Sequence, residues 1–154
     1  MKGRSAEAHG TKGDTQKYPG GIEHDMDGVV TLEAGAVTLV SDEEFDTLIR
    51  STDRPVLVDF YADWCGPCGA LAPVLASIAE ALADELIVVK IDTEEHRGVM
   101  EAMNVRSLPT MVLFRGTSVI GQKVGFVPPH ELRRWLERSV KPKKGFLARM
   151  FGGK

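Results

Sequence analysis

Cysteine is scarce in this chain of 154 residues: there are two, beside two tryptophans and two tyrosines. Two are too few for a disulfide-stapled scaffold and too few for a four-cysteine zinc site. The four histidines, His9, His24, His96 and His130, lie far apart without the short spacing of metal ligands, so no metal is expected. Long apolar runs are missing as well, and none approaches the roughly 18 residues a membrane-spanning helix needs. Residues 1–10 carry no apolar stretch of the kind a secretory signal requires. Glu7, Asp14, Glu23, Asp25 and Asp27 make the first segment too acidic for a transit peptide. These absences point to a cytoplasmic protein. No internal repeat is visible, and no nucleic-acid partner is expected.

What is present is enough apolar character, 43%, to build one ordinary domain. It is unevenly spread. Residues 1–28 hold Gly3, Gly10, Gly13, Gly20, Gly21 and Gly28 with few large apolar groups, and read as a flexible arm that cannot offset the entropy of ordering. Residues 29–140 read as the folded domain. The tail 141–154 has five positive charges and no acid. Its Phe146, Leu147, Met150 and Phe151 can share a helical face, which would suit an anionic membrane surface or an acidic partner. Any helix there falls short of the roughly 12–15 residues that hold alone in water, so a loose tail is the preferred expectation.

The domain reads as alternating elements. Val29–Leu32 and Val37–Val40 are β-prone runs flanking Gly35. Ser41-Asp42-Glu43-Glu44 has the form of a capping box ahead of Phe45, Leu48 and Ile49 at helical spacing. Residues 55–61 are apolar almost throughout, as in a strand covered on both faces. A helix to about Asp84 follows, with Pro73 predicting a bend near 70–73. A strand over 86–91, a short helix around 94–103, strands over 110–115 and 118–124 and a helix over 129–140 complete the order β, α, β, α, β, α, β, β, α. This alternation predicts an α/β protein whose sheet starts parallel and gains an antiparallel edge through the hairpin near Gly116.

Both cysteines fall in Trp64-Cys65-Gly66-Pro67-Cys68, where the strand hands over to the helix. Two thiols separated by two residues can close a small disulfide ring, and a helix start favours a thiolate. Cys65, at the start, is the candidate nucleophile; Cys68, one turn deeper, is the candidate resolving thiol and is expected to be the more buried. Gly66 tolerates unusual backbone angles, and Pro67 suits a first helical turn. Asp59 is the odd residue of its strand: a carboxylate among Val56, Leu57, Val58, Phe60 and Tyr61 should be desolvated, which raises its pKa toward neutrality. Lys90 is its candidate charge partner.

The segment Val58-Asp59-Phe60-Tyr61-Ala62-Asp63-Trp64-Cys65-Gly66-Pro67-Cys68 closely resembles the active-site signature of the thioredoxin family. Ala72-Pro73, Lys90, Ser107-Leu108-Pro109-Thr110 and Lys123-Val124-Gly125 match further family landmarks in order and spacing, over about residues 36–140. The resemblance implies the thioredoxin fold, a central mixed β-sheet flanked by helices in three α/β/α layers, and dithiol–disulfide oxidoreductase activity without a bound cofactor. The Gly66–Pro67 pair implies a reducing centre, near the family's potential of about −270 mV. Asp59 would accept the proton of Cys68. Pro109 would be a cis-proline that exposes the backbone of Leu108 for strand-like pairing with substrate. Trp64, Gly66, Pro67, Leu108, Val124, Gly125 and Phe126 would rim Cys65. The implied partners are a thioredoxin reductase and disulfide-containing proteins, acting on a monomer. Two features depart from the family pattern: Gly69 stands where Lys or Arg is common, and Tyr61 where Trp is frequent. A scaffold that does not use its dithiol, and a disulfide isomerase or oxidase, are the competing expectations.

Overall fold

The computed structural model describes residues 23–24 and 30–141. The expected tail beyond Lys141 and most of the expected arm lie outside those residues.

β1 (Glu23–His24) and β2 (Val30–Thr31) pair antiparallel as a small separate sheet, with Glu23 opposite Thr31. The arm expected over 1–28 thus includes two residues with a strand partner.

The main sheet has five strands. β3 (Val37–Leu39), β4 (Val56–Tyr61), β5 (Ile87–Asp92), β6 (Thr110–Arg115) and β7 (Ser118–Val124) lie in the order β3-β5-β4-β6-β7. β3 and β4 run parallel to β5, while β6 lies antiparallel to β4 and β7 antiparallel to β6. The expected parallel start and antiparallel edge are both present.

β4 is central because its sequence can be buried on both faces. Val56, Val58 and Phe60 join Val89, Ile91, Val112 and Phe114 on one face. There they meet Phe45, Leu48 and Ile49 of α1 (Asp42–Ser51) and, partly buried, Val99 and Met100 of α3 (Gly98–Ala102). Leu57, Val88, Met111 and Leu113 form the other face, under α2 (Gly66–Ala81) and α4 (Pro129–Val140), which contribute Leu71, Leu75, Ile78, Leu132 and Leu136. The result is the three-layer α/β/α arrangement. Gly121 of β7 is required by close approach, since a Cβ there would stand 2.7 Å from Cζ2 of Trp135 on α4.

Helix starts follow their local chemistry. Ser41 caps α1 as the sequence predicts: Glu44 N–H donates to Ser41 Oγ at 3.2 Å, and Ser41 N–H donates to Glu44 Oε2 at 2.7 Å. α3 is shorter than expected, five residues, and its N-cap Arg97 makes no side-chain cap bond. Its first amides, those of Gly98 and Val99, instead donate to the two carboxylate oxygens of Asp42 at 2.9 Å each. Pro73 sits within α2, which is assigned as one helix throughout.

Candidate active site

α2 begins at the C-terminal end of β4, where the chain leaves the sheet and loose ends of parallel strands cluster. Cys65 is its N-cap, and Pro67 occupies the first turn, where its missing N–H leaves no bond unmade. Cys65 and Cys68 are disulfide-bonded, with Cα atoms 5.3 Å apart. The amide of Cys68 donates to Cys65 Sγ at 3.3 Å, so the sulfur occupies the position an N-capping oxygen would take. Burial separates the two less than expected: Cys65 is 7% exposed and Cys68 5%. Three residues of helix separate the two side chains little in depth when both sulfurs share one ring. The pair packs with Ala62 beneath it and Leu108 beside it.

Asp59 lies in the middle of β4 and is 3% exposed. Its Oδ1 has no hydrogen-bond partner among the described residues. Burial pushes its pKa from 3.8 up to about 7, against the opposing pull of the Lys90 cation. Lys90 is its register partner on β5, so the two side chains leave the same face of the sheet. The Lys90 ammonium stands 4.7 Å from the ring centroid of Tyr61, a cation–π contact that fixes where the charge sits. Burial first, then the carboxylates of Asp92, Asp63 and Glu95, push the Tyr61 phenol up to about 12. Asp59, Lys90, Tyr61, Cys65 and Cys68 all line one open cleft of about 680 Å³ on the α2 face of the sheet.

The rim residues come from three separate loops. Leu108–Pro109 is a cis peptide, and the carbonyl of Pro109 accepts from the amide of Gly125 at 2.8 Å. Gly125 has φ +84°, a left-handed conformation that glycine adopts without a Cβ clash. Val124 is the register partner of Thr110, so the end of β7 stands beside the cis bond. Val124 is 59% exposed, Phe126 45% and Trp64 70%, an apolar fringe that the core leaves uncovered. Gly66 and Pro67 are exposed in the first turn. Glu94 was not among the candidate residues, yet its Oε1 accepts from Trp64 Nε1 at 2.7 Å and holds the indole beside the dithiol. The usable signal was the acidic stretch Asp92-Thr93-Glu94-Glu95 at the carboxyl end of a parallel strand.

A family model described as thioredoxin matches residues 36–138. The thioredoxin of Rhodospirillum rubrum is 40% identical over 101 residues, which cover 66% of this chain and 97% of that protein. The chloroplastic thioredoxin Y2 of Arabidopsis thaliana is 40% identical over 100 residues, 65% of this chain and 60% of its own length. The chain thus spans about 60% of that plant relative and of its counterpart from Oryza sativa. Among solved structures, a point mutant of the thioredoxin from Halobacterium salinarum NRC-1 superposes with a TM-score of 0.65 at 34% identity, over 73% of this chain and 97% of that one.

Proposed function

The chain belongs to the thioredoxin family, and from that premise we propose that it is a protein-disulfide reductase working through Cys65 and Cys68. The observation that carries this reading is the disulfide seated on the N-terminus of α2, lining one cleft with the buried carboxylate of Asp59. In the reduced protein the Cys65 thiolate attacks one sulfur of a target disulfide. A mixed disulfide forms, and the other target sulfur leaves as a thiolate. Helix N–H groups favour the negative sulfur, as the Cys68 amide bonded to Cys65 Sγ already indicates. Cys68 then gives its proton toward Asp59, whose raised pKa matches it to a proton acceptor working near neutrality. The Cys68 thiolate attacks Cys65 Sγ, releases the second target thiolate and closes the Cys65–Cys68 disulfide. Two electrons have passed to the target, carried in the thiols alone. Lys90 is assigned to holding charge beside Asp59.

The apolar fringe of Trp64, Gly66, Pro67, Leu108, Val124 and Gly125 is assigned to docking the target strand. Pro109 turns the backbone of Leu108 outward for main-chain pairing, which tolerates many target sequences. A reductase of the kind that serves thioredoxins would return the disulfide to the dithiol. Cytoplasmic targets and action as a monomer belong to the same proposal. The test is insulin reduction with dithiothreitol, run beside an equilibrium redox titration. Turnover with a potential near −270 mV is the expected result. No turnover, or a potential well above that range, overturns the reductase reading.

A further inference from the structure

β7 is an edge of the main sheet: β6 pairs with it on one side, and among the described residues no strand pairs with it on the other. It also carries most of the apolar surface that the core leaves uncovered. Besides Trp64, the large apolar side chains exposed among the described residues are Val119, Ile120, Val124 and Phe126, all on β7 or just past its end. Val124 and Phe126 belong to the fringe beside the cis-proline. Val119 and Ile120 stand at the opposite end of the strand, where that fringe does not account for them. Val119 is the register partner of Phe114 and Gly121 that of Leu113, so Ile120 is the extra residue of a β-bulge. Two apolar side chains therefore crowd one ladder position on an open edge. Such an edge invites pairing with other chains unless something covers it.

The chain supplies a cover at this spot. Arg115, the register partner of Ser118, donates from Nη2 to the carbonyl of Val140 at 3.2 Å. The last residue of α4 is thus tied to the β6–β7 corner, next to Val119. Lys141 leaves the helix with extended backbone, φ −69° and ψ 136°, and Pro142 cannot continue it. Residues 141–145 span at most about 17 Å, ample for a patch that begins at the same corner. Phe146, Leu147, Met150 and Phe151 follow at the spacing of one helical face. A helix that short does not hold alone in water, so its apolar face needs a surface. The tail has five positive charges and no acid in a chain of net charge −3, which leaves the remainder strongly acidic and draws the tail back to its own domain. We propose that segment 146–151 folds back onto Val119 and Ile120 and covers that end of β7. Val124 and Phe126, at the far end of the strand, stay free for a target.

The test uses the oxidised full-length protein with labelled methyl groups. Nuclear Overhauser contacts are expected from the methyls of Val119 and Ile120 to the rings of Phe146 and Phe151, unchanged on dilution. Trypsin reads the same docking in solution, because cleavage after Arg149 requires the segment to lift off. The double variant Val119→Ser, Ile120→Ser should speed that cleavage roughly tenfold, in proportion to the freed population. Phe146→Ser with Phe151→Ser should do the same, and it alters no residue of the folded domain. Absence of the contacts, or cleavage at the wild-type rate in both double variants, overturns the proposal. Contacts that fade on dilution, or that appear between differently labelled copies, overturn it in favour of a second copy on the edge. Contacts that give way when phosphatidylglycerol vesicles are added, with the tail bound to lipid, overturn it in favour of a membrane surface. None of these readings involves turnover, so their failure leaves the reductase reading untouched.

Discussion

At the scale of single residues, Asp59 sets the pH behaviour of the protein. Its pKa lies near 7 in the folded chain against 3.8 in an open one. Between those values the folded protein holds a proton that the unfolded chain has released, so stability falls as pH rises through that window. The loss is complete above about pH 7 and, at 1.36 kcal/mol per unit, is on the order of 4 kcal/mol. Asp59→Asn does not titrate. It is expected to be more stable than wild type by about 3–4 kcal/mol at pH 8.5 and to differ little at pH 4, as measured by guanidinium unfolding. Equal stability differences at both pH values would contradict the buried carboxylate. Gly69 makes a smaller contribution, since it leaves the first turn of α2 without a charged side chain. Gly69→Lys is expected to speed alkylation of reduced Cys65 by iodoacetamide at pH 7 by about two- to threefold, the scale of one exposed charge near a helix end. Cys68→Ser should retain the first attack and accumulate a mixed disulfide with insulin, visible by mass under non-reducing conditions.

Among the elements, those with strong local signals were legible in the sequence. The capping box at Ser41, the doubly buried run of β4 and the spacing of Leu132 and Leu136 on α4 each dictate their structure from neighbouring residues. Ser41→Ala is expected to cost about 1 kcal/mol in urea unfolding, the usual scale of a lost N-cap. The parts that were not legible depend on distant partners. Nothing near Gly121 announces Trp135, which lies on another element and fills the space a side chain would take. Gly121→Ala is therefore expected to destabilise by about 1–3 kcal/mol through overpacking, read as a lower denaturation midpoint with an unchanged slope. The candidate site divides the same way. The dithiol and Asp59 stood out because they break the composition around them. The Trp64–Glu94 bond and the cleft walls exist only once β5 and α2 are brought beside β4.

For the whole molecule, five parallel and antiparallel strands bring together site residues from segments as far apart in the chain as Asp59 and Gly125. β4 gives Asp59, the start of α2 gives both cysteines, the connection from α3 to β6 gives Leu108–Pro109, and the connection from β7 to α4 gives Gly125. The bond between α1 and α3 belongs to this scale too. Asp42 holds the amide hydrogens of Gly98 and Val99 across 56 and 57 positions of sequence. A helix of five residues has no independent stability, so these two hydrogens are protected only while the sheet keeps α1 and α3 together. Their exchange with deuterium then becomes a clock for the local parting of α3 from Asp42, written on an element that would otherwise fray in microseconds. In Asp42→Ala that clock should run fast at Gly98 and Val99 while the amides of β4 keep their own slow time.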